Sequence, residues 1–125
     1  MMEEDLLAIL RHAAEDLPPA RINFGSHPQG KGWPGIVLNV IDNLDTLTLN
    51  GPDGHWEGRV QVDCYGRDYD EAKLLARRVQ TWLHGYHDDR FQGVFLLGTR
   101  DGHESDAPDR PFRISKDFAT HWSAS

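Results

Sequence analysis

"RVQVDCYGRDYDEAKLLARR", residues 59–78, is the stretch from which the fold can be read. Val60, Val62 and Cys64 fall on one side of an extended chain, and Arg59, Gln61, Asp63 and Tyr65 on the other. That alternation marks a half-buried strand, because successive side chains of a strand point to opposite faces. The pattern stops at Gly66 and a helical one starts two residues later. Asp68 followed three residues on by Glu71 is a capping-box arrangement, in which each side chain serves an amide that the first helical turn leaves free. Ala72, Leu75, Ala76, Val79, Trp82 and Leu83 form one apolar stripe, which predicts Trp82 in the core. Asp70 and Glu71 lie in the first turn and Arg77, Arg78 and His84 nearer the end, the order a helix dipole favours. Gly85 is the expected C-cap.

A strand-to-helix corner is also where α/β enzymes place nucleophiles and phosphate loops. A P-loop needs more glycines and a Lys-Ser/Thr pair, and a nucleophile elbow needs Ser or Cys at its apex. Residues 66–68 are Gly, Arg and Asp, so this corner is structural.

Outward from it, residues 3–17 read as a first helix, with Leu6, Ile9, Leu10, Ala13 and Leu17 on one face and Glu3, Glu4 and Asp5 at its positive end. Pro18-Pro19 stops it. "ARINF" can be extended. "GSHPQGKGWPG" (25–35) holds four glycines and two prolines in eleven residues, a loop composition, and loops of this length are often functional. Segments 36–42 and 45–50 read as strands, "GPDG" (51–54) as a turn, and with 57–65 they predict an antiparallel meander. Two further strands, 91–100 and 112–122, flank a polar loop; the second puts Phe112, Ile114, Phe118 and Trp122 on one face. The class is α+β: an antiparallel sheet of four to five strands with two main helices, in one domain over 1–125.

A net charge of -7 argues against gripping nucleic acid through its phosphates, an affinity that Lys and Arg supply. No apolar run spans a bilayer, and the acidic start MMEEDLLAIL is unlike a secretion signal. The single cysteine, Cys64, reads as a buried thiol with no nearby group to activate it. "HGYHDD" (84–89) is the one tempting metal cluster, but Gly85 breaks the helix between His84 and His87. The acidic loop with Asp101, Glu104, Asp106 and Asp109 lacks calcium-loop spacing, and Ser26-His27 has no acidic partner to complete a triad. Trp33 and Trp56, in Gly/Pro-rich loops, read either as plugs over the core or as interface anchors. No catalytic residue, cofactor site or metal site is expected; the loops and sheet edges point to assembly.

The succession resembles the phage tail-completion, or tail-terminator, family, found at the head–tail junction of long-tailed phages and phage-like gene transfer agents. The resemblance runs through "ARINF", "GWPGIVLNVID", "RVQVDCYGRDYDEAKLLARRV" and "FRISKDFATHW", covers about residues 3–122, and is most specific over 59–79. The charged 101–110 loop departs from the family's pattern. The resemblance implies a non-enzymatic virion protein, made in the host cytoplasm and placed at the head-proximal end of the tail. Its implied partners are copies of itself in a hexamer, the tail tube protein and the head-tail connector or stopper protein, with no membrane. DNA would pass through the lumen without specific binding. A ring needs a heterologous interface whose rotation closes, and the candidate contacts are Trp33, Pro34, His55, Trp56, Phe91 and Phe95, from the 25–35 loop, the 50–56 turn and the 91–99 edge strand. Two other readings compete: a monomeric or dimeric protein- or ligand-binding module, and a small hydrolase using the loop histidines.

Overall fold

The structure is a computed structural model, and it describes residues 2–25, 34–48, 51–103 and 112–123. Along the chain come α1 (Met2–Ala13), a 3-10 turn (Pro19–Arg21), β1 (Ile22–Phe24), β2 (Gly35–Thr48), β3 (Gly51–Gly66), α2 (Tyr69–Leu83), β4 (Phe91–His103) and β5 (Phe112–Ser123). The five strands form one sheet in the order β1-β2-β3-β5-β4. The α+β expectation holds, and the sheet is antiparallel except at one place. There β1 pairs with β2 in parallel, Ile22 opposite Ile36.

The corner at 66–71 is built as its residues predict. The Asp68 carboxylate accepts from the Glu71 amide at 2.8 Å, and Glu71 reaches back to the Arg67 amide, also at 2.8 Å. The box thus closes one residue further back than the usual N-cap amide. At Gly66 the backbone of Glu71 and Ala72 passes so close that a side chain has no room. α2 ends differently from the expected cap: His84 and Gly85 (φ 80°) form a turn in which the Tyr86 amide donates to Leu83 O at 2.9 Å. With His84 at φ -66°, ψ 121°, this is a type II turn, whose third residue needs a positive φ that glycine adopts without strain.

Both helices pack on one face of the sheet. Leu6, Leu10, Ala14 and Leu17 from the N-terminal segment and Ala72, Leu75, Ala76, Val79 and Leu83 from α2 meet Ile36, Leu38, Val60, Val62, Cys64, Ile114, Phe118 and Trp122. α1 is shorter than its apolar stripe: regular helix stops at Ala13, and Leu17 is buried from the turn that follows. Three polar clasps hold this segment. The Trp122 indole donates to Asp5 at 2.9 Å, Arg11 donates twice to Ile22 O, and Arg78 pairs with Asp16 at 2.6 Å. Trp82 is only half-buried, with the Arg78 guanidinium 4.9 Å above its ring. A long side chain at a helix flank covers it better than the core does.

Two strand expectations are corrected. Segments 36–42 and 45–50 belong to one strand, β2, carried past two register shifts, and residues 51–54 are the start of β3 rather than a turn. The chain reverses between the paired residues Thr48 and Gly51, so the meander is one long hairpin. A bulge absorbs an out-of-phase residue without ending the strand, which is why the broken alternation near residue 42 misleads.

Candidate assembly surface

The face of the sheet away from the helices is divided in two. Towards Gly35 and Tyr65 it is covered: Val37, Asp63 and Ser115 are almost fully buried although they point away from the core. The Asp63 carboxylate, 4% exposed, accepts from the Ser115 hydroxyl and from Gln61. A buried carboxylate requires such donors. From Gln61 the network continues to Arg100 at 2.9 Å, and Arg100 pairs with Asp117 at 3.2 Å.

The other half lies open. On the opposite, helix-facing side, Val40, Val60, Phe118 and Leu96 form a row across β2, β3, β5 and β4, and both β2 and β4 carry a register shift immediately after their member of that row. The extra residues are Ile41 and Leu97, which are 56% and 52% exposed. Phe95, 45% exposed, lies close by, with its ring 6.2 Å from that of His121. Between the two bulges lies Arg59, whose cross-strand partners are Asp42 on β2 and Ala119 on β5, and shallow grooves on this face are lined by Ile41, Arg59, Leu97 and Ala119. Asp117 pairs with Arg100 at 3.2 Å, and Glu57 lies 3.8 Å from the His121 ring. Arg59 makes no hydrogen bond or ion pair among the described residues. Exposed apolar side chains grouped around a cation that has no ion pair among the described residues make a surface suited to a macromolecular partner.

The residues expected at contacts fare unevenly. Pro34 is half-buried and immediately precedes β2, and Phe95 is on the open surface. Phe91 is a correction. It is fully buried among core side chains with the Tyr86 ring 6.2 Å away, so it offers nothing to a partner. The edge strand begins there, but its first residue turns inward onto the helix side. Trp33 lies outside the described residues, as do Ser26-His27 and the 104–111 part of the acidic loop. The backbones of His55 and Trp56 pair with Ser123 and Trp122, while their side chains also lie outside the described residues. Sequence reading missed Arg59, Ile41 and Leu97 as a group. The available signal was the doubled aliphatics Val40-Ile41 and Leu96-Leu97, each breaking a period of two.

The other chemical candidates have structural jobs. His84 Nδ1 accepts from the Leu96 amide at 3.0 Å. Asp88 accepts from the amides of Arg90 and Phe91 and from the Tyr86 hydroxyl; burial pushes its carboxyl up, but these donors outweigh that and hold it below the usual range. Burial, reinforced by the neighbouring Asp63 charge and opposed by Lys116, pushes the Cys64 thiol far up, the reverse of what a nucleophile needs. Lys116 is itself buried, donating to Gln80 at 2.7 Å and Thr99 at 3.1 Å, and so ties α2 to β4 through the sheet. Among the described residues no group of three or more His, Cys, Asp or Glu is placed to hold a metal ion.

Comparison with known proteins adds three findings. The family model described as "Tail completion protein gp17" matches residues 4–122. The fold is similar to that of a chain in the "Virion of native gene transfer agent (GTA) particle", with a TM-score of 0.60, 15% identity and 95% of each chain covered. A stretch of 89 residues, 70% of the chain, is 29% identical to KNR4/SMI1 homolog 2 of Debaryomyces hansenii, and the match spans only 14% of that curated relative's length.

Proposed function

The chain belongs to the Tail completion protein gp17 family and is a structural protein of the virion tail, and we propose that it acts there as the subunit of a closed ring. In this reading a hexamer, the number the family resemblance implies, seats on the last ring of tail tube protein. It ends tube growth and presents its other side to the head connector. The whole chain, 1–125, works as one unit, and it turns over no substrate. The observation that carries the reading is the open half of the sheet. Two bulges turn Ile41 and Leu97 outward beside Arg59, side chains that contribute little to the protomer's own core. A closing ring needs surfaces of this kind, since each copy must present one patch and receive another. Trp33, Pro34, His55, Trp56 and Phe95 remain proposed contacts. The net charge of -7 suits a channel through which DNA passes, because like charges repel the phosphates instead of holding them.

The test is the mass of the purified protein by light scattering across concentration, with negative-stain images of the same samples, alone and with purified tail tubes. Six-fold rings, free or on tube ends, are expected. A strict monomer that ignores tubes refutes the reading.

A further inference from the structure

Resting on the ring reading, we infer that the open half of the sheet receives helix α1 of the neighbouring copy, with that helix lying across the strands from Ile41 to Leu97 and over Arg59. The argument begins with what each surface lacks. On the sheet, Arg59 stands opposite Asp42 in the β2–β3 ladder, makes no ion pair among the described residues, and is set between two exposed aliphatic side chains. On α1, the outward line is Glu4, Ala8 and His12, at helical spacing, with Glu15 just beyond the helix end, and all four are exposed. Glu4 and Glu15 make no ion pair among the described residues, whereas Asp5 and Asp16 are already committed to Arg90 and Arg78. The unpaired charges are therefore of opposite sign on the two surfaces.

The dimensions agree. Ile41 and Leu97 stand on strands three spacings apart, about 14 Å at the usual 4.7–4.9 Å between neighbouring strands. The 12 residues of α1 extend about 18 Å at 1.5 Å each, enough to bridge both. Ala8 lies at the middle of the helix, and Ala119 stands beside Arg59 at the middle of the face, so the two backbones can approach closely. Half-buried Leu7 and Ile9 flank Ala8 and can extend apolar contact towards the bulge residues. Glu4 is one helical turn from Ala8, within the reach of an arginine side chain. The pairing is heterologous, helix to sheet, so it propagates from copy to copy and closes only when the rotation allows it. A two-fold dimer would need both helix-to-sheet contacts to form at once between the same two copies, whereas a ring makes one contact of each kind with each neighbour.

Charge exchange tests this directly. Arg59→Glu alone and Glu4→Lys with Glu15→Lys should each weaken self-association about tenfold, equivalent to about 1.4 kcal/mol. Combining all three in one chain should restore it, measured by light scattering and negative stain. All three positions are on the surface and outside the core, so circular dichroism should stay unchanged. As a second readout, Ala8→Cys protein mixed with Ala119→Cys protein under oxidising conditions should give a disulfide-linked pair that neither gives alone, since Cys64 is buried. Rings that form in R59E as in the wild type overturn the inference and leave the ring reading standing. Rings that form normally but no longer seat on tail tubes also overturn it, because the face then belongs to the tube protein. A wild-type chain that is monomeric with and without tubes removes both.

Discussion

Replacing Gly66 by alanine tests the corner on which the placement of α2 depends. An alanine Cβ there would lie 2.9 Å from Ala72 Cα and from the Glu71 carbonyl carbon, and would press on the Ala72 amide nitrogen as well. All three are backbone atoms in the first turn of α2, so no side-chain rotation relieves the contact. Overpacking where neighbours can shift costs about 1–3 kcal/mol. Here relief requires moving the helix start, which also strains the Asp68 cap, worth about 1 kcal/mol. Against this, alanine removes unfolded-state freedom worth about 0.4–1 kcal/mol. The expected net loss is about 2–3 kcal/mol, a sizeable part of the roughly 5–15 kcal/mol that holds a typical domain together. Urea unfolding followed by tryptophan fluorescence measures it, with Gly98→Ala as control, because a Cβ at Gly98 meets nothing within 4 Å. A Gly66→Ala midpoint within experimental error of the wild type, or no lower than that of Gly98→Ala, refutes the steric argument.

Two further outcomes are expected. Asp88→Asn should destabilise by about 1 kcal/mol at pH 7, discounted for the exposure of the site. The Asp88 carboxyl is held below its ordinary value in the fold, so its contribution is complete above the unfolded value near 4 and is lost as pH falls through the folded one. The gap between wild type and variant in urea midpoint should therefore narrow as pH falls below about 4; a gap that stays unchanged down to the acid limit of folding contradicts the assignment. Native Cys64 should resist a thiol reagent such as Ellman's at pH 8 and react only as the protein unfolds, since burial disfavours its thiolate. Rapid stoichiometric labelling of the folded protein would show the thiol to be accessible.

Periodicity and capping are local, and the parts of the fold that rest on them were legible. Val60, Val62 and Cys64 face the core, Asp68 caps α2 with Glu71 completing the box, and Ile114, Phe118 and Trp122 share the inner face of β5. The candidate surface was legible only in part, and Phe95 and Phe91 show why. Both are aromatic residues near the start of one edge strand, yet Phe95 is open and Phe91 is buried against Tyr86. The turn ending α2 and a register shift in β4 between Phe91 and Gly93 decide between them, and neither is visible as composition. "GPDG" carries strong turn chemistry and still serves as strand, because pairing with β2 outweighs a local preference.

What residues within a few positions of one another can specify was therefore present in the chain from the start: one well-capped helix, an alternating central strand, a structural corner and an acidic balance. Side-chain period, proline stops and caps depend on neighbours along the chain, so they survive without knowledge of the fold. Contacts between distant segments set everything else. The parallel docking of β1, the joining of 35–48 into one strand and the burial of Asp63 under Ser115 and Gln61 each require a partner more than ten residues away or an element on another layer. The same holds for the surface proposed to assemble. Ile41 and Leu97 are 56 positions apart, and they flank Arg59 only because two bulges fall at the same level of a four-strand row.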